Sequence, residues 1–114
     1  MSSALNAIDT NLALERAGGN QDLARELYQM LQNELPNYHS TIKQHYDSGD
    51  YEALLEVVHK LHGSATYCGV PALKEAAASM ESNIKQGAET AYARGLDEVL
   101  GEIKRLQLTP ELDL

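Results

Sequence analysis

His59 and His62 stand three residues apart in the run His59-Lys60-Leu61-His62-Gly63-Ser64-Ala65, near the middle of the chain and inside a good helical pattern. That spacing puts both rings on one side of a helix. Imidazole ionises near pH ~6.5, so at neutral pH it is a usable nucleophile. The same pair could begin a metal site, but zinc takes three or four protein ligands. No further His, Cys or carboxylate cluster supplies a clear third, since His39 and His45 lie on another segment at non-matching spacing. A solvated surface histidine without a role is the plain alternative for His59. Gly63 is the other unusual residue of the run. A glycine inside a helix costs about 1 kcal/mol relative to alanine, and one reason to tolerate it is the close approach of another body. No Ser-His-Asp arrangement, Gly-rich phosphate loop or Cys-x-x-Cys motif is visible.

The segments that must position these residues read as helices separated by Gly18-Gly19, Pro36, Ser48-Gly49-Asp50, Gly69-Val70-Pro71 and Gly87. The first spans about Asp9 to Ala17, with Leu12 and Leu14 as inward candidates. Asn20 caps the next, along which Leu23, Leu27, Met30 and Leu31 recur at helical spacing. Pro36 interrupts it or opens a third helix carrying Tyr38, Ile42 and either His45 or Tyr46. The fourth, about Tyr51 to Cys68, holds Leu54, Val57, Val58, Leu61, Ala65 and Cys68 on one stripe. At 100° per residue these six fall within about 60° of a common direction, His59 about 140° away and His62 at about 80°. His59 is therefore expected on the outer face with Glu52, Glu56, Gly63 and Thr66, and His62 on the flank. A fifth helix from Pro71 to about Gln86 has Leu73, Ala77, Met80 and Ile84 inward, with Glu81 and Lys85 one turn apart beside that stripe. A sixth, about Thr90 to Gln107, buries Val99, Leu100, Ile103 and Leu106, with Gly95 and Gly101 weakening it or allowing close packing. Short connections favour an antiparallel up-and-down bundle.

The chain of 114 residues argues for one domain, residues 1–114, with its core over about 9–107 and residues 108–114 as a loose tail. With 43% hydrophobic residues it can form a real core, built without Phe or Trp. A formal charge of −8 repels phosphate backbones and anionic lipid, which argues against nucleic-acid binding and direct membrane contact. Cys68, the single cysteine, cannot form an internal disulfide and sits on the core stripe as a small hydrophobe, which fits a reducing cytoplasm. No apolar run approaches the ~20 residues of a membrane span. Met1-Ser2-Ser3-Ala4 has neither the basic region nor the apolar stretch of a secretory signal.

The run from His59 to Ala65, followed by Gly69 and Leu73, resembles the signature of histidine-containing phosphotransfer (HPt) domains. Ala17-Gly18-Gly19-Asn20 and Ser48-Gly49-Asp50-Tyr51 resemble two of that family's turns, and the similarity covers about Asp9 to Leu106. The His-x-Leu-His-Gly-Ser variant is most similar to the C-terminal HPt domain of GacS/BarA-type hybrid sensor kinases. The resemblance implies an all-α fold, here an antiparallel up-and-down four-helix bundle with one or two additional short N-terminal helices. It implies a carrier without kinase activity of its own. A receiver-domain aspartate of a hybrid sensor kinase supplies the phosphoryl group, and the aspartate of a response regulator takes it.

By that motif His59 is the phosphoacceptor, and Gly63, Thr66 and Tyr67 lie where a receiver docks. His62 stands where the family usually has Lys or Arg beside the phosphoryl oxygens; it can donate a hydrogen bond there even when neutral. Lys60 lies to the core side of His59 and does not replace that cation. Lys85 is a further candidate for facing the phosphoryl group. Glu81, twenty-two residues after His59, matches the position that accepts a hydrogen bond from the imidazole; otherwise it only pairs with Lys85 as a surface couple. No cofactor is implied in this chain, with Mg²⁺ belonging to the partner receiver domain. A cytoplasmic monomer is implied, alone or as the C-terminal part of a membrane-anchored kinase. The competing classes are a helical interaction module without phosphotransfer and a metal-dependent enzyme.

Overall fold

Polar side chains begin most of the helices. In the computed structural model, which describes residues 5–114, Asp9 accepts from the Leu12 amide at 3.0 Å, Asn20 from Leu23 at 3.0 Å and Asp50 from Ala53 at 3.1 Å. Each satisfies an amide that the first helical turn leaves without a partner. The helices are α1 (Thr10–Arg16), α2 (Gln21–Ser48), α3 (Tyr51–Thr66), α4 (Pro71–Lys85) and α5 (Tyr92–Gln107), with a 3-10 turn at Glu89–Ala91 before α5. The reading of Met1 to Ala4 lies outside the described residues.

α2 to α5 form the four-helix bundle: α2 packs on α3 and α5, and α4 on α3 and α5. The core runs through Tyr28, Leu31, Leu35 and Ile42 of α2, Leu54, Val58 and Leu61 of α3, Leu73, Ala77 and Met80 of α4, and Val99, Ile103 and Leu106 of α5. One short N-terminal helix, α1, is added to it.

The helices depart from the sequence expectations at several points. There is no separate third helix, because α2 is continuous for 28 residues with Pro36 inside it. Proline forfeits one backbone hydrogen bond and crowds the preceding turn, at about 3 kcal/mol. Burial of Leu31 and Leu35 before it and Tyr38 and Ile42 after it, all on one stripe, holds the helix through that defect. The stripe passes through Ala24, Tyr28 and Leu31, which turns Leu23 and Met30 to the surface. In α1 the buried residue is Ala13, with Leu12 and Leu14 only half-buried.

The segment after α5 is irregular but tied down. Tyr28 donates its hydroxyl to the Thr109 carbonyl at 2.5 Å, the Gln32 amide reaches the Leu106 carbonyl at 2.7 Å, and Leu112 is 6% exposed within the core. The loose tail expected there is therefore not what the chain forms. At the opposite connection, α1 lies across the α3–α4 turn. The Asp9 amide donates to the Gly69 carbonyl at 2.8 Å. Gly69 has φ +67°, and a Cβ there would stand 2.5 Å from the Ala13 Cβ and 2.7 Å from Ala13 backbone atoms. Only glycine suits both the backbone and the space. The turn joining the two helices that carry the candidate site is thereby fixed from outside.

Candidate functional site

Val58 and Leu61 are fully buried, and that phase decides where their neighbours point. One residue beyond Val58, His59 projects outward with its side chain 71% exposed. One residue beyond Leu61, His62 lies on the flank at 30%. On α4 the buried stripe passes through Ala77, Met80 and Ile84, and Glu81 turns its side chain into the seam with α3, where it is only 8% exposed.

The Glu81 carboxylate gathers three donors. Its Oε2 is 2.6 Å from His59 Nδ1 and 3.1 Å from Lys85 Nζ, and its Oε1 is 3.0 Å from His62 Nδ1. Burial pushes this carboxyl up, but the hydrogen bonds from His59, Lys85 and His62, with the Lys85 charge, outweigh that and hold it at about 2. Glu81 is thus ionised at neutral pH and only accepts. It follows that the proton of each neutral imidazole sits on Nδ1, which leaves both Nε2 atoms with a free lone pair. Glu81 therefore contacts both the His59 imidazole and Lys85, and it does so as a buried carboxylate rather than as half of a surface couple. His62 is the contact that the sequence did not supply, and it alters the expectation for that residue: when neutral, its single N–H is already committed to Glu81.

His59, His62, Glu81 and Lys85 line one shallow groove together with Ala78 and Ser82. Farther along α3, a Cβ at Gly63 would meet no atom within 4 Å, so the surface is open there. Thr66 sits one turn past His62 and donates its hydroxyl to the His62 carbonyl at 2.9 Å, while Tyr67 is exposed. Lys60 belongs to a different groove, with Glu34 and Tyr38 of α2. Cys68 is buried; burial and then the Glu34 charge push its thiol up to about 11, away from the reactive thiolate. Among the described residues, no three His, Cys, Asp or Glu side chains form a group that could hold a metal ion.

This arrangement presents a lone-pair nitrogen on a rigid helix, backed by a fixed anion and bordered by open surface. The Hpt domain family model matches residues 26–109, which include every residue of the cluster. The chain belongs to the Hpt domain family. As an Hpt domain it is of the carrier type rather than a kinase. It is 39% identical over 102 residues to the sensor histidine kinase GacS of Pseudomonas protegens, a match covering 90% of this chain and 11% of GacS. It is 37% identical over 82 residues to the signal transduction histidine-protein kinase BarA of Shigella flexneri, covering 72% of this chain and 9% of BarA. The chain thus spans about a tenth of the length of these curated relatives. Its fold is similar to the crystal structure of the HPT domain of a hybrid sensor histidine kinase from Shewanella, with TM-score 0.84, 28% identity and coverage of 91% of this chain and 90% of that one. This Hpt domain therefore matches its relatives in fold and in the region that holds the histidine cluster. Among the described residues, no helix is long and apolar enough to cross a membrane.

Proposed function

We propose that His59 is the phosphoacceptor of this domain. It takes a phosphoryl group from a receiver-domain aspartate of a hybrid sensor kinase and passes it to the aspartate of a response regulator. The observation that carries this reading is the exposed imidazole whose Nδ1 lies 2.6 Å from the ionised, buried Glu81.

The Nε2 lone pair attacks phosphorus, and the bond to the aspartate oxygen breaks with its electron pair returning to the carboxylate. The ring keeps its Nδ1 proton and becomes a phosphorylated imidazolium. Its new positive charge develops against Glu81, already in place and partly shielded from water, where a counter-charge acts without reorganisation. Onward transfer reverses the electron flow: the N–P bond breaks and the pair returns to Nε2. No proton has to leave the ring in either direction. Glu81 fixes the tautomer and the direction of the lone pair, and in-line positioning is most of what phosphoryl transfer asks of a protein.

Lys85, bound to the same carboxylate, supplies a cation at the groove, and His62 lies beside it. The receiver docks over Gly63, Thr66 and Tyr67, of which Gly63 and Tyr67 are exposed and Thr66 half-buried, in an interface under about 1,200 Å² that suits a relay releasing its partner. Mg²⁺ is assigned to the receiver. In this reading the domain is a cytoplasmic monomer that touches neither nucleic acid nor membrane.

The test is incubation with a phosphorylated receiver domain carrying a labelled phosphoryl group, comparing wild type with His59→Gln. Label is expected on wild type and absent from the folded variant. Label on both would overturn the assignment of His59, and label on neither would favour an interaction module without phosphotransfer.

A further inference from the structure

We infer that His62 binds the phosphoryl group carried by His59 only after taking a second proton from solvent onto Nε2. The inference rests on the phosphoacceptor reading and deepens it.

A neutral imidazole has one N–H. In His62 that N–H is spent at Nδ1 on Glu81 Oε1, 3.0 Å away, because an ionised carboxylate can only accept. The remaining nitrogen, Nε2, then bears a lone pair, and phosphoryl oxygens are acceptors as well. A neutral His62 therefore has nothing to donate to them. The imidazolium has a second N–H and keeps the first on Glu81.

The geometry brings the two rings together. They are three residues apart on α3, bind the two oxygens of one carboxylate, and line one groove. A dianionic phosphoryl group on His59 thus arrives beside His62. An opposite charge that close draws a proton onto the free nitrogen. By linkage, protonation of His62 favours the phosphorylated form by the same factor.

The groups facing His62 bear this out. From α3 the titratable neighbour in the groove is His59, and from α4 they are Glu81 and Lys85. α2, on the other side of α3, directs Glu34 and His45 into a separate groove with Glu56 and Lys60. Besides His59, the groove thus places around Glu81 one ammonium, that of Lys85, and one imidazole with an uncommitted nitrogen, that of His62.

The experiment uses the intact chain with phosphoramidate as phosphoryl donor. The His62 ring is followed by NMR from about pH 6 to about pH 9, before and after phosphorylation. The titration midpoint of His62 is expected to rise by about one pH unit or more, with the new proton on Nε2 by nitrogen chemical shift. In parallel, the lifetime of the phosphorylated protein is compared with that of folded His62→Lys. The ratio of wild-type to variant lifetime is expected to fall several-fold across the same range. A purely structural His62 would change folding stability in the variant but leave the midpoint still on phosphorylation. A midpoint unmoved in protein labelled on His59 overturns this inference and leaves the phosphoacceptor reading standing. Equal labelling of His59→Gln overturns that reading and this inference with it.

Discussion

Glu81 Oε2 lies 2.6 Å from His59 Nδ1, although the two residues are on different helices and 22 positions apart. A buried carboxylate thus fixes the tautomer of an exposed ring.

Glu81→Gln keeps the shape of the side chain but removes the charge and offers one acceptor to two imidazoles. The loss of a charge-assisted hydrogen bond, about 1.5–3 kcal/mol, corresponds to a roughly ten- to hundredfold slower acceptance of phosphoryl by His59. Single-turnover transfer from a phosphorylated receiver measures it. An unchanged rate in the folded variant would remove Glu81 from the site.

The same carboxylate makes stability depend on pH in acid. Its folded pKa is held at about 2 against an ordinary 4.5. A depressed carboxyl contributes stability that is fully present above the unfolded value and is lost as pH falls through the folded one. Wild type should therefore lose stability between about pH 4.5 and about pH 2, by at most roughly 3 kcal/mol because the His59 and Lys85 partners are solvated. Urea unfolding across that range should show a shallower loss in Glu81→Gln.

Substitutions at Gly63 test the proposed docking face apart from folding. No atom lies within 4 Å of a Cβ built there, so Gly63→Ala should raise stability by about 0.5–1 kcal/mol through helix propensity. Gly63→Gln should fold equally well yet slow transfer from a receiver by about tenfold or more, because misplacing the reacting atoms by about 1 Å costs that much or more. Thermal unfolding and the transfer rate, measured on both variants, check the two halves. Full-speed transfer in Gly63→Gln would mean that the receiver docks elsewhere.

Gly69→Ala tests the clamp on the α3–α4 turn. A methyl group would fall 2.5–2.7 Å from Ala13 atoms at a backbone with φ +67°. The expected loss is about 2–4 kcal/mol from strain and overpacking together, read by urea unfolding at neutral pH. An undiminished midpoint would show that α1 does not hold this turn.

Leu112→Ala tests the terminal segment. A side chain only 6% exposed in the core should cost about 2 kcal/mol or more when truncated, measured the same way; a surface tail would cost close to nothing.

The sequence by itself determined the helical class, the breaks at Gly49 and Gly69, and the face each candidate residue takes on its own helix. Apolar spacing in α3 was enough to turn His59 outward and His62 to the flank, because a helix fixes angle from position alone. It was not enough at Pro36, where a local breaking signal lost to burial on both sides within one helix. Nor could composition reveal that Leu112 returns to the core, since the groove it fills belongs to other helices. The sharpest case is His62. Its side of the helix was legible from spacing. Its hydrogen-bonding capacity was not, because that depends on which atom of α4 takes its proton. Periodicity specifies how a residue faces its own axis, while the partner across the seam is decided only when the two helices pack.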